Sequence, residues 1–177
     1  MSWNNEQPPK KAVFIVAPAN FRDEELFNAK NVLDKSGVKT FVSSDGVPVA
    51  KGSFNREIKV DVDITELNIN DYDAIIFIGG YGAAVFLNDD LLLDIAKKSK
   101  EAGKIVCASG LAVSILANSG ILMGVSATCA SSEEPNLRVK GAYYNGNPVT
   151  IDEKIITSNG PESANDFGDA ILHVLGK

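Results

Sequence analysis

Few side chains in this chain of 177 residues are suited to chemistry. There is one histidine, His173, and there are two cysteines, Cys107 and Cys129. Any Cys–His or Ser–His pair would have to recruit His173. Cys107 lies inside an apolar run and Cys129 at the end of another. A free thiol in such places ordinarily packs as a small hydrophobe, whereas a reactive thiol needs exposure and a positive neighbourhood. Asp61 and Asp63 alternate along one strand and share a face. With one histidine and no cysteine cluster they form no zinc or iron spacing, so no metal is expected. They read instead as a solvated acidic edge that discourages strand pairing. Gly79-Gly-Tyr-Gly-Ala-Ala84 follows a strand, but its glycines are misplaced for a dinucleotide loop, and Gly103-Lys104 lacks the rest of a phosphate loop. Both read as turns that need positive φ, and no cofactor is implied.

Two positions remain. Glu25 stands in the first turn of a helix, where negative charge suits the helix dipole. The residues alone favour a glutamate facing water. The alternative places it at the mouth of a cleft beside Gly110, where lost hydration would raise its pKa. The second position is the stretch Gly103-Lys-Ile-Val-Cys-Ala-Ser-Gly-Leu-Ala-Val-Ser-Ile-Leu-Ala117. It reads as a buried strand, a sharp turn at Ser109-Gly110, and a helix ended by Gly120. A strand-to-helix turn at the carboxyl end of a parallel strand is where open α/β folds place their chemistry, and it has the shape of a nucleophile elbow. Glycine has no side chain with which to attack. Ser109, one residue earlier, is a weaker candidate, because the sequence offers it no base.

The elements that must position these residues follow in order. Ala12–Ala17 is a buried strand, Arg22–Ser36 a helix with Leu26, Ala29, Val32 and Leu33 on one stripe, and Lys39–Ser43 a second strand. This implies a right-handed parallel crossover. Val47–Ala50 and Glu57–Ile64 alternate like half-exposed strands and are expected to form an antiparallel hairpin on the sheet edge. Asp73–Ile78 is a strand buried on both faces. A short helix over Gly82–Leu87 and a longer one over Leu91–Ala102, capped by Asp89-Asp90, precede the central stretch. A short strand near Ser126–Cys129 and an acidic turn at Ser131–Glu134 follow. Ala142–Tyr144 and Pro148–Ile151 suggest a second antiparallel region. Lys154–Ser158 returns to the sheet and Glu162–Leu175 is the last helix. The fold class is α/β: a three-layer α/β/α sandwich, flavodoxin-like, mostly parallel, with a small antiparallel edge hairpin.

Composition narrows the partners. The hydrophobic content is 45%, the charged content 23% and the net charge −6. These values suit one globular domain over 11–177 with a flexible tail over 1–10. The acidic balance argues against nucleic acid and anionic membrane surfaces. No apolar run could span a bilayer and the polar N-terminus lacks a signal-like region. Two cysteines make no disulfide scaffold. The expected location is the cytoplasm.

Four segments together resemble the DJ-1/PfpI (ThiJ/PfpI) superfamily, which is class I glutamine amidotransferase-like, from about Lys11 to the C-terminus. Asn20-Phe-Arg-Asp-Glu-Glu-Leu26 is similar to the family's E-F-E-D-x-E-L, whose last glutamate is the active-site acid; that position is Glu25. Asp71-Tyr-Asp-Ala-Ile-Ile-Phe-Ile-Gly-Gly80 resembles D-Y-D-A-L-x-x-P-G-G. Gly103-Lys104 through Gly120-Ile-Leu-Met-Gly124 resembles G-K-x-V-A-x-I-C-H-G…A-G-L-L-x-G, and Ile156-Thr-Ser-Asn-Gly-Pro161 resembles T-S-R-G-P. Counted from Gly103-Lys104 or from Ser119-Gly120, the family's cysteine falls at Gly110 and its following histidine at Leu111. Cys107 is three residues too early. A later histidine of some members falls near Thr128-Cys129-Ala130.

The resemblance implies backbone oxyanion donors at Gly80 and Leu111, beside Gly79, with Ser109 and Ala130 lining the pocket. An elbow side chain is strained at positive φ, whereas glycine is not, so Gly110 is expected at φ above zero. The expected function is a family member without the cysteine nucleophile, binding a small-molecule ligand or acting without catalysis. The alternative is a cofactor-independent hydrolase, hydratase or glyoxalase-type enzyme with Glu25 as general base. The resemblance also implies a homodimer, to which Trp3, Phe54 or Tyr143-Tyr144 could contribute.

Overall fold

A computed structural model describes residues 7–177. Most of the expected tail, together with Trp3, lies outside the described residues. In chain order the strands and helices are β1 (Lys11–Ile15), β2 (Ala19–Phe21), α1 (Asp23–Lys35), β3 (Lys39–Ser44), β4 (Val49–Gly52), β5 (Glu57–Lys59), β6 (Val62–Asp63), β7 (Ala74–Phe77), α2 (Asp90–Glu101), β8 (Ile105–Ser109), α3 (Val113–Asn118), β9 (Ser126–Ala127), α4 (Glu134–Val139), β10 (Tyr143–Tyr144), β11 (Val149–Asp152), β12 (Ile155–Ser158) and α5 (Ala164–Leu175).

The main sheet has seven strands in the order β11-β12-β8-β7-β1-β3-β6. Every pairing in it is parallel except β11 with β12. Strand side chains alternate between faces, and here both faces are covered. Ala74, Ile76, Ile105 and Cys107 pack with Leu26, Ala29 and Leu33 of α1 and Phe167 and Ile171 of α5. Ile75, Phe77, Val106 and Ala108 pack with Leu92 and Ile95 of α2 and Val113 and Leu116 of α3. A strand buried on both faces has no room for an unpaired charge, which is why β7 and β8 carry none. Helices α1 and α5 meet closely: a Cβ on Gly168 would lie 2.8 Å from Val32 Cβ. Asp89 caps α2 by accepting the N–H groups of Leu91 and Leu92, a contact that stabilises a helix by about 1 kcal/mol.

Three local expectations differ from the structure. The hairpin β4–β5 is antiparallel, but it does not extend the main sheet. It joins β2 in a separate three-stranded sheet, because Ala19–Phe21 leaves the end of β1 and pairs with β4 in parallel. Only β6 from the Glu57–Ile64 stretch reaches the main sheet, beside β3. The antiparallel edge of the main sheet is β11 against β12, while β10 pairs in parallel with β9. The acidic turn continues into α4, with Pro135 in its first turn, where its missing N–H has no helical partner to lose. Asp61 and Asp63 accept backbone N–H groups of Val42 and Gly46, each at 2.8 Å, so they tie down neighbouring backbone as well as meeting water.

Among the described residues no helix is long and apolar enough to cross a membrane.

Candidate active site

The site lies where the chain order of the sheet reverses, beyond the carboxyl ends of β1 and β7, the place where open α/β sheets leave a crevice. Four segments converge on it: the first turn of α1, the loops after β7 and β12, and the turn after β8.

Helix α1 begins over these strand ends because the Arg22 N–H donates to Gly79 O at 2.9 Å. This turns the first-turn side chains of α1 inward, and Glu25 is only 3% exposed. The water-facing reading of Glu25 is therefore replaced by the cleft reading. Its Oε2 accepts the Gly79 N–H at 2.9 Å and the Ser109 hydroxyl at 2.5 Å. Gly79 must lack a side chain, since a Cβ there would stand 2.6 Å from both Glu25 Oε2 and Ser109 O. The other carboxyl oxygen, Oε1, is turned toward Gly110 and Gly160. Burial pushes the Glu25 carboxyl above its ordinary value near 4.5; the bonds from Ser109 and Gly79 and the nearby Arg22 charge counter this, and Glu24 adds to the rise.

Gly110 has φ +55°, the left-handed conformation that disfavours a side chain. A Cβ there would lie 2.7 Å from Glu25 Oε1, so the carboxyl group fills the space over the turn. The Gly110 carbonyl accepts the N–H of Ala130 at 3.2 Å, which fastens the 128–131 loop to the turn.

Over Gly110 opens a cavity of about 320 Å³. Glu25, Gly110, Gly80, Leu111 and Ala130 border it, as does the guanidinium-bearing Arg22. Phe54 and Tyr81 form an apolar rim, and Asn159 with Gly160 closes the far side. Ser109 does not line this cavity. It is 1% exposed and stands behind Glu25, as does the N–H of Gly79. The expectation that Ser109 lacks a base partner is also overturned: strand and helix 84 residues apart bring the Glu25 carboxyl to its hydroxyl.

Both thiols lie elsewhere. Cys107 is fully buried on the α1–α5 face, and burial pushes it well above the ordinary thiol range. Cys129 is 1% exposed and pushed up to about 12, by burial first and then by Glu133 and Glu134. His173 is exposed near the end of α5. Among the described residues no group of three or more His, Cys, Asp or Glu side chains is placed to hold a metal ion.

Sequence reasoning missed Arg22, Phe54 and Asn159. Asn159 sits inside the segment resembling T-S-R-G-P, so its position carried a signal. Phe54 carries none, because no local pattern places its hairpin beside β2 and over the strand ends. Asp23 was missed for the same reason. It is 2% exposed and accepts the N–H groups of Phe54 at 2.9 Å and Arg56 at 3.2 Å, which latches the hairpin loop over the cavity.

Comparison with known proteins places this architecture. The model of the DJ-1/PfpI family matches residues 10–174, and the chain belongs to that family. It is 34% identical over 170 residues to an uncharacterized protein of Methanocaldococcus jannaschii, covering 94% of this chain and 83% of that one. It is 28% identical over 168 residues to Protein dj-1beta of Drosophila melanogaster, covering 94% and 89%. Among solved structures, a ThiJ/PfpI domain protein from Brachyspira murdochii superimposes with a TM-score of 0.93 at 32% identity, covering 96% of this chain and 98% of that one.

Proposed function

We propose that this chain is a DJ-1/PfpI-family protein without the cysteine nucleophile, whose cavity over Gly110 holds a small molecule without thiol chemistry. The observation that carries this reading is Gly110 itself: the turn residue has φ +55° and no side chain, and Glu25 Oε1 stands where one would begin. Thiolate, not thiol, is the attacking species, and burial disfavours the thiolate at Cys107 and Cys129. The reading includes a homodimer, which sedimentation of the purified chain checks.

A second reading has one observation in its favour. Glu25 is a buried carboxyl with a raised pKa and one oxygen turned to the cavity, and a carboxyl tuned upward can serve as general base or acid near neutral pH. The Gly80 and Leu111 N–H groups would then steady an oxyanion.

The two readings part in one experiment. The protein is incubated with methylglyoxal and, separately, with a thiol-directed probe under native conditions. The first reading expects no turnover and no labelling. Turnover that disappears in Cys107→Ala overturns it. Turnover that survives Cys107→Ala and disappears in Glu25→Gln establishes the second reading.

A further inference from the structure

Arg22, Asn159 and Glu25 are the charged and amide side chains that border the cavity over Gly110. The Ser53 hydroxyl donates to Asn20 O and the Ser132 hydroxyl to Glu133 Oε1, which leaves each with lone pairs alone to offer. The Asn159 side-chain oxygen accepts the Ser163 hydroxyl at 2.6 Å, so its NH₂ is the end left for a ligand. Arg22 donates to both oxygens of Glu24, through Nε at 2.8 Å and Nη2 at 3.3 Å, and lies 4.9 Å from the centre of the Phe54 ring, which holds the guanidinium at the rim with Nη1 still unpaired among the described residues. Gly80 and Leu111 stand at the same border. Among the described residues neither a lysine nor a second carboxylate lines the cavity.

Glu25 is the carboxyl group of this lining, and its two oxygens differ. Oε2 already takes two donors, from Gly79 and Ser109. A proton on the carboxyl therefore belongs on Oε1, the oxygen turned toward Gly110. An O–H there is one more donor at the floor of the cavity.

We propose that this cavity binds a small carboxylate, with Glu25 Oε1–H donating to one ligand oxygen and with Arg22, the Asn159 amide and the peptide N–H groups of Gly80 and Leu111 meeting the negative charge. This rests on the small-molecule reading above and names the ligand class. The volume of about 320 Å³ stands at the small end of ligand pockets. The apolar faces of Phe54 and Tyr81 suit a short carbon chain. Ionised Glu25 would repel such a ligand, and burial works against that ionised form. The charged groups that reach Glu25 are Arg22 and Glu24, on its own helix. From the neighbouring strands come the Gly79 N–H, the Ser109 hydroxyl and the glycine backbones of Gly110 and Gly160.

The test is a titration of the whole chain, followed by calorimetry and by the amide resonances of Gly80, Leu111 and Gly160. The probes are pyruvate, the neutral acetamide and the cationic ethylammonium, at about pH 5.5 and about pH 8. Pyruvate stays an anion throughout, so any pH dependence belongs to the protein. Pyruvate is expected to bind best, and about tenfold more weakly at the higher pH. Glu25→Gln, whose amide keeps a donor at the Oε1 position, is expected to bind pyruvate at the higher pH as the natural chain does at the lower. Arg22→Gln is expected to weaken pyruvate about tenfold at both. Preference for acetamide or ethylammonium, or pyruvate binding that strengthens as pH rises, overturns the carboxylate assignment while the small-molecule reading stands. A cavity that answers to none of the probes overturns both.

Discussion

Asp23 and Glu25 stand two residues apart in the first turn of α1, at 2% and 3% exposure, and each accepts two hydrogen bonds, yet the regions around them distribute those bonds differently. On the hairpin side, both oxygens of Asp23 accept backbone N–H groups, from Phe54 and Arg56. Gly52 leaves the room for that close approach, and the Arg56 guanidinium packs 3.5 Å above the Phe27 ring. On the elbow side, one oxygen of Glu25 takes two donors and the other takes none from the protein. A buried carboxylate with each oxygen bonded to a loop's backbone is a structural clamp. One whose bonds all fall on a single oxygen keeps the lone pairs of the other toward a cavity, and its ionisation is penalised by burial. The first region holds the rim in place and the second meets whatever enters.

This contrast can be broken by mutation. The largest effect is expected for Asp23→Ala, which strands two inward-facing N–H groups of the 52–56 loop and should lower stability by about 3 kcal/mol in urea denaturation. Faster hydrogen exchange at Phe54 and Arg56 should accompany it. A loss below about 1 kcal/mol would show that the hairpin does not depend on the clamp. Next comes Gly110→Cys. Positive φ and the contact with Glu25 Oε1 should together lower stability by about 2 kcal/mol. The new thiol, unlike Cys107, should react with a thiol probe in the native protein.

Ser109→Ala removes one of the two donors to Glu25 Oε2 and should cost about 1 kcal/mol. Because the Ser109 bond lowers the Glu25 pKa, its loss should also move the carboxyl titration further up, as read by carboxyl NMR. A downward movement would sink the assignment of Ser109 as a donor to the ionised form.

The smallest expected effect is a slope. The folded protein holds the Glu25 proton more tightly than the unfolded chain does. The stability of the natural protein should therefore fall as pH rises from the ordinary value near 4.5 through the raised one. Glu25→Gln should lack that contribution. The two stability curves should meet at low pH and separate above it, with the variant higher. Curves that stay parallel would mean that Glu25 titrates alike in the folded and unfolded chains.

Much of the frame was legible before any coordinates. Apolar runs at Ala74–Phe77 and Ile105–Ala108, with no charge, announced strands covered on both faces. Glycines at 37, 103 and 120 marked the ends of helices. The turn at Ser109-Gly110 and its unusual glycine could be read from the strand before it and the helix after it. Alternation at 47–64 marks a hairpin but not the sheet that it joins. Alternation reports that one face of a strand is exposed, and it is silent about which neighbour pairs with its edge.

By itself, then, the sequence determined the parallel α/β frame, the elbow and the lack of a side chain at Gly110, because these follow from periodicity and from residue type over a few neighbouring positions. Only the tertiary structure decided which first-turn acids are buried, which oxygen of Glu25 stays open, and that Ser109 meets a carboxyl group 84 residues away. Hydration is lost, and partners are gained, only where segments remote in the chain are brought together, and no local pattern records that meeting.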